Sequence, residues 1–408
     1  MLSGAMSRFQ RPTDTAEGQR ATTLELFYDL VFVFAITQVS HLLLRHLTWE
    51  GVGQSALVLL VVWWAWNYTT WVTNELDPES IVVRLMLIGV MLASLLMAVA
   101  IPEAFGDRAL LFAGAYVAIQ VGRHAFLAFA ASARGTNERV RAERILTWFV
   151  VAGVFWIAGA LADGSTRTLL WLIALAIDYG APLCTYWVPF VRRVTPEAWQ
   201  VQTAHFAERF QLFIIIALGE TIVLTGATTS DLELTTERAI AFAVAFLTTA
   251  AMWWLYFDYV ARIAERRLEL APNRTTLARD GYTYLHVVLA AGVIVSAVGD
   301  ELVIAHPGDV LPGAEVAAVV AGPAIYLLAH TLFRLRMAGS ISVKRLAGAI
   351  GCVAVGLLGG VVSGLVLALL VLAILVAVIV AEQVSGRRRT ARGDLAPLER
   401  LEAEAGGA

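Results

Sequence analysis

The chain has 408 residues, of which 59% are hydrophobic and only 15% are charged. So little charge cannot cover the surface of a soluble globule of this size, and the composition is typical of integral membrane proteins. The formal net charge of −3 excludes the strongly basic surface that nucleic-acid-binding proteins carry. We therefore expect membrane lipids as partners, with a small molecule or an ion as the possible substrate.

Apolar segments of about 20 residues recur along the chain, which is the length that a helix needs to cross the hydrocarbon core of a bilayer. The alternating pattern of barrel strands is absent, so the predicted fold class is an all-α integral membrane protein. We predict about twelve transmembrane helices. In chain order they are 24–46, 52–73, 81–101, 108–131, 144–162, 168–190, 205–226, 239–261, 280–304, 311–334, 344–361 and 363–381.

These spans divide the chain into two halves of six helices each. Residues 1–23 are polar and lack the apolar core of a cleavable signal peptide, so we predict that they form a tail. The predicted organisation is a cytoplasmic N-terminal tail (1–23), a first half (24–190), a cytoplasmic linker (191–204), a second half (205–381) and a cytoplasmic C-terminal tail (382–408).

Basic residues indicate how the spans are oriented, because Lys and Arg accumulate in cytoplasmic loops. Of the 30 Lys and Arg residues, 23 lie in the two tails, in the even-numbered loops of this span assignment or within two residues of those loops. The odd-numbered loops and the two residues on either side of each contain only Arg45, Arg108, Arg167 and Arg238. This asymmetry predicts that both termini lie in the cytoplasm.

Similar segments begin the two halves. "ELFYDLVFVFAI" opens span 1 at Glu25 and "ERFQLFIIIALG" opens span 7 at Glu208, while span 2 carries "WWAWNY" and span 8 carries "WWLYFDY". Because six spans return the chain to the same side, these pairs predict two parallel six-helix repeats. In transporters, repeats of this kind have a polar site between them.

Two long motifs also carry a family resemblance. "LELFYDLVFVFAITQVSHLL" near the N-terminus and "HFAERFQLFIIIALGETIV" in mid-chain resemble the bacterial low temperature requirement A family, over residues 20–385. The matching positions are Glu25, Phe27, Asp29, Phe32, Gln38, Glu208, Arg209, Phe210, Gly219 and Glu220. The resemblance implies a multi-pass inner-membrane protein linked to growth in the cold. It implies no catalytic residues and no cofactor, and we predict neither.

Ionisable residues within spans are the candidate functional residues, because each is costly to bury in a bilayer and normally faces the bundle interior. Glu25 and Asp29 lie one turn apart on span 1. They either interact with the positive end of the helix dipole or line a cavity. On span 7, Arg209 and Glu220 share one helix face, either in a substrate or proton pathway or in structural pairs.

Further candidates lie on spans 4, 6 and 9. Arg123 and Asp178 either pair with each other for structure or serve function, with Arg123 binding an anionic group and Asp178 exchanging a proton. His124 is a further pathway candidate. His286 is also one, although a lone His in a span is more often a hydrogen-bonded packing residue. We expect Asp29, Arg123, Asp178, Arg209 and Glu220 to face one interior polar cavity.

Asn67 and Asp258 are candidates because each accompanies a cluster of Trp and Tyr residues, on spans 2 and 8 respectively. Such clusters form interfacial aromatic belts or line pockets for amphipathic ligands. The two cysteines lie in predicted spans without a neighbouring Cys or His cluster, so we predict packing roles for them and no metal site.

Three functional hypotheses remain open from the sequence. The first is a secondary transporter or permease with a polar intramembrane cavity. The second is a membrane-embedded enzyme acting on a lipid or lipid-linked substrate, with Glu25, Asp29, Glu208 and His124 as acid and base candidates. The third is a structural or lipid-sensing protein without turnover. The sequence motifs of nucleotide hydrolases, serine hydrolases and zinc proteases are missing.

Overall fold

The computed structural model describes residue 9 and residues 20–192, 201–258, 260–395 and 397–406. Within these ranges the elements of regular secondary structure are helices. They are α1 (Thr23–Arg45), α2 (Trp49–Thr73), α3 (Ile81–Ala100), α4 (Ala109–Phe126), α5 (Asn137–Leu161), α6 (Gly164–Gly180), α7 (Thr203–Asp231), α8 (Thr236–Phe257), α9 (Val260–Leu270), α10 (Arg274–Leu277), α11 (His286–Ala305), α12 (Gly313–Ala338), α13 (Val343–Val355), α14 (Gly364–Ala391) and α15 (Pro397–Gly406). π-helical turns extend α4 over Leu127–Ala131 and join α10 to α11 over Ala278–Leu285.

Nine helical stretches in the described ranges are long and apolar enough to cross a membrane. The chain is thus an all-α, multi-pass membrane protein, while the count of twelve spans stays a prediction. A helix occupies each of the three remaining predicted spans, but none belongs to the nine. α2 is rich in Trp and Thr, α6 has 17 residues and α13 has 13.

The chain forms two compact units. Unit 1 comprises Met1–Leu42 and Gly53–Arg209, and unit 2 comprises Leu43–Val52 and Phe210–Ala408. The residues that α7 contributes to unit 1 end at Arg209. The domain boundaries predicted from the spans, and the parallel repeat, stay predictions.

In unit 1, α4 packs against α3 and α5, and α5 packs against α6. α3 leaves one apolar stripe exposed, formed by Ile81, Leu85, Ile88 and Leu92. These residues recur every three or four positions, so they share one helix face. An exposed apolar stripe of this kind is the face that a spanning helix presents to lipid.

The contact between α5 and α6 depends on a glycine. A Cβ atom built on Gly159 would lie 2.5 Å from the Trp171 ring, so only glycine leaves room for the indole. The Trp171 Nε1 donates a hydrogen bond to the backbone oxygen of Trp156 at 3.0 Å. This bond satisfies the one polar atom of a side chain that is otherwise buried in the interior.

α2 is the interior helix of unit 1. Every residue from 61 to 70 is buried, including Trp63, Trp64 and Trp66. The other helices of the unit shield these polar and aromatic side chains, which explains why α2 can be less apolar than a lipid-facing span. An aromatic belt facing lipid is therefore the wrong interpretation for this cluster, whereas Trp253 and Trp254 of α8 are about half exposed.

In unit 2, α11 and α12 approach so closely that their backbones touch. A Cβ atom on Gly322 would lie 2.3 Å from the backbone nitrogen of Ser296, and one on Gly292 would lie 2.7 Å from that of Tyr326. A third glycine, Gly299, faces the backbone of α12 at a similar distance. Small residues at such positions let membrane helices gain close packing contacts, which drive helix association in lipid.

The region after α6 differs from the prediction of a helix over 168–190. α6 ends at Gly180 and turns follow, so Asp178 lies two residues from the end of the helix and Cys184 is exposed in the turns. Thr185 and Tyr186 have positive φ angles of 51° and 50°. Arg144 donates hydrogen bonds to both of their backbone oxygens, at 2.7 and 2.6 Å, and so stabilises this uncommon backbone conformation.

Candidate functional site

Two acidic side chains of α1 meet two basic side chains of α7 in the interior of unit 1. Glu25 and Asp29 are one turn apart on α1, and His205 and Arg209 are one turn apart on α7. The His205 Nε2 lies 2.9 Å from the Glu25 Oε1, and Arg209 contacts the same oxygen at 3.2 Å. Arg209 Nη2 also donates to the Asp29 Oδ1 at 2.7 Å. All four side chains are buried.

α2 and the residue that follows it supply further hydrogen-bond partners for this charged group. The Trp66 Nε1 donates a hydrogen bond to the Asp29 Oδ1 at 2.8 Å. The Asn74 amide nitrogen lies 3.0 Å from the His205 Nδ1, so both ring nitrogens of His205 have protein partners. Trp66 of α2 and Asn74, the residue after the end of α2, therefore fix the orientation of one acid and one base.

Glu25 is placed as the helix-terminus interpretation expects, while its role in lining a cavity stays a prediction. Its Oε2 accepts hydrogen bonds from the backbone nitrogen and the hydroxyl of Thr22, at 2.8 and 2.9 Å, as a carboxylate does at a helix N-terminus. Its Oε1 belongs to the interior group with Arg209. Glu208, by contrast, is only partly buried and accepts a hydrogen bond from the backbone nitrogen of Ala21 at 2.8 Å.

Two polar atoms of this group have no hydrogen-bond partner among the described residues, namely Asp29 Oδ2 and Arg209 Nε. Both side chains are fully or almost fully enclosed by protein. A buried ionised group is stable only when its hydrogen-bonding capacity is nearly satisfied. The group thus retains one free acceptor and one free donor inside the membrane-spanning part of unit 1.

Arg123 and Asp178 do not form the ion pair considered from the sequence. Arg123 donates to the Thr69 hydroxyl at 2.7 Å, to the Ala65 backbone oxygen at 3.2 Å and to the side-chain oxygen of Gln120. No carboxylate of the described residues lies within 4.0 Å of its guanidinium. The sequence could not show this arrangement, because three neutral acceptors from two helices replace one acid.

Asp178 is held by neutral donors. Its Oδ2 accepts hydrogen bonds from the Tyr116 hydroxyl at 2.8 Å and from the Trp156 Nε1 at 3.0 Å. Its other oxygen has no partner among the described residues. Asp178 is therefore a buried carboxyl group, without a cation partner, that is fixed on one side only.

α2 connects the two sets of polar residues. The Ala65 backbone oxygen accepts hydrogen bonds from Arg123 and, at 3.4 Å, from the Tyr28 hydroxyl of α1. The next residue, Trp66, binds Asp29. On α4, Gln120 lies one turn from Tyr116 and binds Arg123. Polar side chains thus extend through unit 1 from Glu25 to Asp178.

The other candidates of unit 1 have packing environments. His124 is buried, its Nδ1 lies 3.0 Å from the Gln120 backbone oxygen, and its ring contacts Phe149. Asn67 is fully buried on α2. Beyond the end of α2, Glu75 pairs with Arg141. Burial raises the pKa of Glu75, and the Arg141 guanidinium acts in the opposite direction.

Three sequence-predicted candidates lie in unit 2. Glu220 is buried on α7, next to Thr221, whose hydroxyl lies 2.8 Å from that of Thr249. Glu220 thus belongs to a different unit from the other four residues expected to share one cavity, and that cavity stays a prediction. Asp258 is exposed just after α8 and accepts a hydrogen bond from Gln383 at 2.8 Å.

His286 has the environment of a packing residue. Its Nε2 lies 2.8 Å from the Tyr256 hydroxyl and its Nδ1 lies 3.2 Å from the Gly281 backbone oxygen. Its ring stacks on Tyr282, with 4.8 Å between the ring centroids. Both ring nitrogens are therefore satisfied within the protein.

The neutral partners and one buried acid were not predicted from the sequence. Trp66, Tyr116, Gln120 and Trp156 each bind a charged or ionisable candidate, and Asn74 binds His205, but neutral residues carry no burial cost that would single them out in a sequence. Asp300 of α11 is buried, and its Oδ2 has no partner among the described residues. The two acidic residues in the segment "VGDEL", which lies inside a predicted span, were the sequence feature that could have identified Asp300.

The described residues contain no group of three or more His, Cys, Asp or Glu side chains that could hold a metal ion. The polar interior of unit 1 contains two carboxylates beside Arg209. It also contains a separate carboxyl group, that of Asp178, which is held by a tyrosine hydroxyl and a tryptophan indole. Such groups can bind a polar solute or carry a proton.

Comparisons with known proteins agree with this architecture. The family model of the bacterial low temperature requirement A protein matches residues 20–380. A protein of Rhizobium meliloti (strain 1021), described as uncharacterized, is 37% identical over 330 residues, which is 80% of each chain. No solved structure matches the chain. Since the family match covers most of this membrane-spanning chain, the protein belongs to the bacterial low temperature requirement A family.

Proposed function

We propose that this family member is a secondary transporter whose solute or proton pathway uses the polar interior of unit 1. The observation that supports this best is the buried group of Glu25, Asp29, His205 and Arg209. Ionisable residues inside membrane spans cost about 2.5 to 3.5 kcal/mol each on insertion scales, and they commonly mark substrate or proton pathways.

The unpartnered atoms of this group allow it to bind a solute as well as to stabilise the fold. Arg209 binds both carboxylates and still has an unpartnered Nε, while Asp29 has an unpartnered Oδ2. A solute with a donor and an acceptor could bind these two atoms and shift the balance of the ion pairs. In this proposal, solute binding and the arrangement of α1 and α7 are therefore coupled.

Asp178 is the proposed proton carrier. Because its partners are neutral donors, it can take up or release a proton without breaking an ion pair. Arg123, Gln120 and Tyr116 lie along α4 between Asp178 and the α2 backbone. This series of hydrogen-bonding side chains is of the kind that links proton transfer to solute binding in transporters.

We also propose how the protein is oriented in the membrane. Both termini are cytoplasmic and the membrane is the bacterial inner membrane, because basic residues concentrate on one side of the predicted spans. The two halves are parallel repeats, as "ELF" and "ERF" and the two Trp-Trp segments suggest. The role in growth in the cold is then movement of a solute that the cell needs at low temperature.

The test is gradient-driven flux in proteoliposomes that contain a pH-sensitive dye. A panel of amino acids, organic acids, polyamines and inorganic ions is added outside, with and without an imposed pH gradient. We expect at least one solute to move protons in vesicles with the wild-type chain but not in empty vesicles. Asp178→Asn should lower that flux at least about tenfold while the protein remains folded.

The matched control is Glu79→Gln, since Glu79 is an exposed acid whose ion pair with Arg84 is at the surface. It should transport as the wild type does. The transport proposal fails if no solute moves protons, and the assignment of Asp178 fails if Asp178→Asn transports normally or only lowers the amount of folded protein.

A membrane-embedded enzyme is the alternative, since Glu25 and His205 form an acid–base pair. Against it, both ring nitrogens of His205 are already bonded to protein atoms, which leaves none for a substrate. Product formed from a phospholipid in detergent, without any gradient, would favour this alternative. A purely structural or lipid-sensing role predicts neither flux nor product.

A further inference from the structure

Unit 2 contains a large basic cavity. Its volume is about 1110 Å³, and α8, α9, α12, α13, α14 and α15 all contribute to its wall. Six basic side chains line it, against two acidic ones. The basic residues are Arg267, Arg334, Lys344, Arg345, Arg387 and Arg389, and the acidic residues are Asp258 and Glu382.

Most of this positive charge is not neutralised by the protein. Arg345 binds both oxygens of Glu382, at 2.9 Å each. Arg334 donates to a serine hydroxyl, and Lys344 donates to the Ala381 backbone oxygen and to a serine. Arg345 is thus the one cation of the six with a carboxylate within 4.0 Å among the described residues, and the cavity is complementary to an anion.

Arg267 is the most informative of these cations. Its side chain is half-buried, and its Nε is shielded from solvent without any hydrogen-bond partner among the described residues. Arginine heads normally reach water or a carboxylate, because an unsatisfied buried donor is costly. A half-buried guanidinium with an unpartnered Nε at the wall of a cavity can bind a phosphate with charge-assisted hydrogen bonds.

Part of the wall is apolar. Trp254, Phe333, Ile341 and Ile379 line the cavity together with the basic residues. Trp254 is 46% exposed and Ile341 is 54% exposed, so apolar surface is available beside the cations. A free inorganic anion would leave this surface unused, whereas a lipid would cover it with its acyl chains.

The cavity also lies at the level expected of a lipid headgroup. α8 ends at Phe257, α12 ends at Ala338 and α13 begins at Val343, and residues at all three of these helix ends line the cavity. Spanning helices end near the membrane surface, where basic pockets between helices bind anionic headgroups. From the charge, the apolar wall and the position, we infer that this cavity binds one anionic phospholipid, with its phosphate at Arg267, Arg334 and Arg389.

The test uses the full chain in a zwitterionic detergent. Its thermal unfolding is followed while dioleoylphosphatidylglycerol, dioleoylphosphatidylcholine or glycerol 1-phosphate is added. A ligand that binds only the folded state raises the unfolding temperature in proportion to its occupancy. We expect phosphatidylglycerol to stabilise the protein at concentrations at which the other two compounds do not.

Neighbouring arginines supply the matched control. Arg389 lines the cavity and Arg388, the preceding residue of α14, does not. Arg389→Gln should raise the half-maximal concentration of phosphatidylglycerol about tenfold, as expected for one lost charge-assisted hydrogen bond. Arg388→Gln, which removes the same charge from the same helix, should leave it unchanged. Arg267→Gln should act as Arg389→Gln does, and Arg389→Gln keeps the test valid if Arg267→Gln does not fold.

Three results would overturn the inference. Equal effects of Arg388→Gln and Arg389→Gln would mean a general attraction of basic residues to anionic lipid. Equal stabilisation by phosphatidylcholine would mean that only acyl chains bind. Stabilisation by glycerol 1-phosphate at the same concentration would assign the cavity to a soluble phosphate compound. None of these outcomes depends on whether unit 1 transports a solute.

Discussion

The interior of unit 1 and the α11–α12 region of unit 2 are held together by different interactions. In unit 1, charged side chains of α1 and α7 bind each other and α2. In unit 2, glycines bring the backbones of α11 and α12 into contact, and His286 binds the neutral hydroxyl of Tyr256. Both arrangements stabilise helix packing in a membrane, where apolar surface alone does not drive helices together. The first contains a fully buried group of ion pairs, and we therefore place the proposed function there.

The largest expected effect comes from removing the cation of unit 1. Arg209→Ala leaves Glu25 and Asp29 buried without their guanidinium, and breaking a buried ion pair from one side costs about 3–5 kcal/mol. We expect little or no monodisperse protein after extraction in detergent, by size-exclusion chromatography. Arg84→Ala, which removes one partner of an exposed pair, should cost about 0–1 kcal/mol. If the two variants were equally stable, the group around Arg209 would not hold the helices together.

The next largest effect tests the packing of unit 2. Gly322→Ala places a methyl group against the Ser296 backbone and should destabilise the protein by about 1–3 kcal/mol through overpacking. Gly226 of α7 has open space around its Cβ position. Gly226→Ala should therefore be neutral or stabilise the helix by up to about 1 kcal/mol. Equal shifts in the unfolding midpoints of the two variants would contradict the close contact between α11 and α12.

A smaller effect is expected from Tyr-to-Phe substitutions, which compare the interiors of the two units. Tyr116→Phe in unit 1 removes a hydroxyl that binds the Asp178 carboxyl group, whereas Tyr256→Phe in unit 2 removes one that binds His286. Hydrogen bonds to charged groups contribute about 1.5–3 kcal/mol and those between neutral groups about 0.5–1.5 kcal/mol. Tyr116→Phe should therefore destabilise the protein more in thermal unfolding, and the reverse order would mean that Asp178 is uncharged in the folded state.

The smallest effect on stability comes from labelling the cysteines. Cys184 of unit 1 is exposed and Cys352 of unit 2 is buried. A maleimide reagent should therefore modify Cys184 rapidly and Cys352 only after unfolding, with Cys184→Ser as the control. In membrane vesicles, an impermeant maleimide should reach Cys184 from the cytoplasmic side. Modification from the opposite side would contradict the proposed orientation.

The positions of the helices were accessible from the sequence. The spans predicted at 81–101 and 311–334 correspond to α3 (Ile81–Ala100) and α12 (Gly313–Ala338). Length and hydropathy are local properties, so a single window of the chain is enough to reveal them. The burial of Asp29, Arg123, Asp178, Arg209 and Glu220 also followed from the cost of placing such residues in lipid.

The hydrogen-bond partners of those residues could not be predicted from the sequence. Arg123 was weighed as a partner of Asp178, yet it binds Thr69, Gln120 and the Ala65 backbone, while Asp178 binds Tyr116 and Trp156. The sequence gives the face on which a residue lies within its own helix, but not the rotation of that helix against its neighbours. Neutral donors and acceptors are also numerous, so many pairings satisfy one charged group equally well.

The sequence alone thus determined that this protein is an all-α, multi-pass membrane protein, because hydrophobic composition and segment length decide whether a helix is stable in lipid. Only the tertiary structure decided that α2 is an interior helix, that Glu25 and Asp29 share Arg209, and that the arginines of α9, α12 and α14 line one cavity. These features depend on contacts between residues that are far apart in the chain. They arise from helix packing, in which each buried polar group must find its partner on another helix.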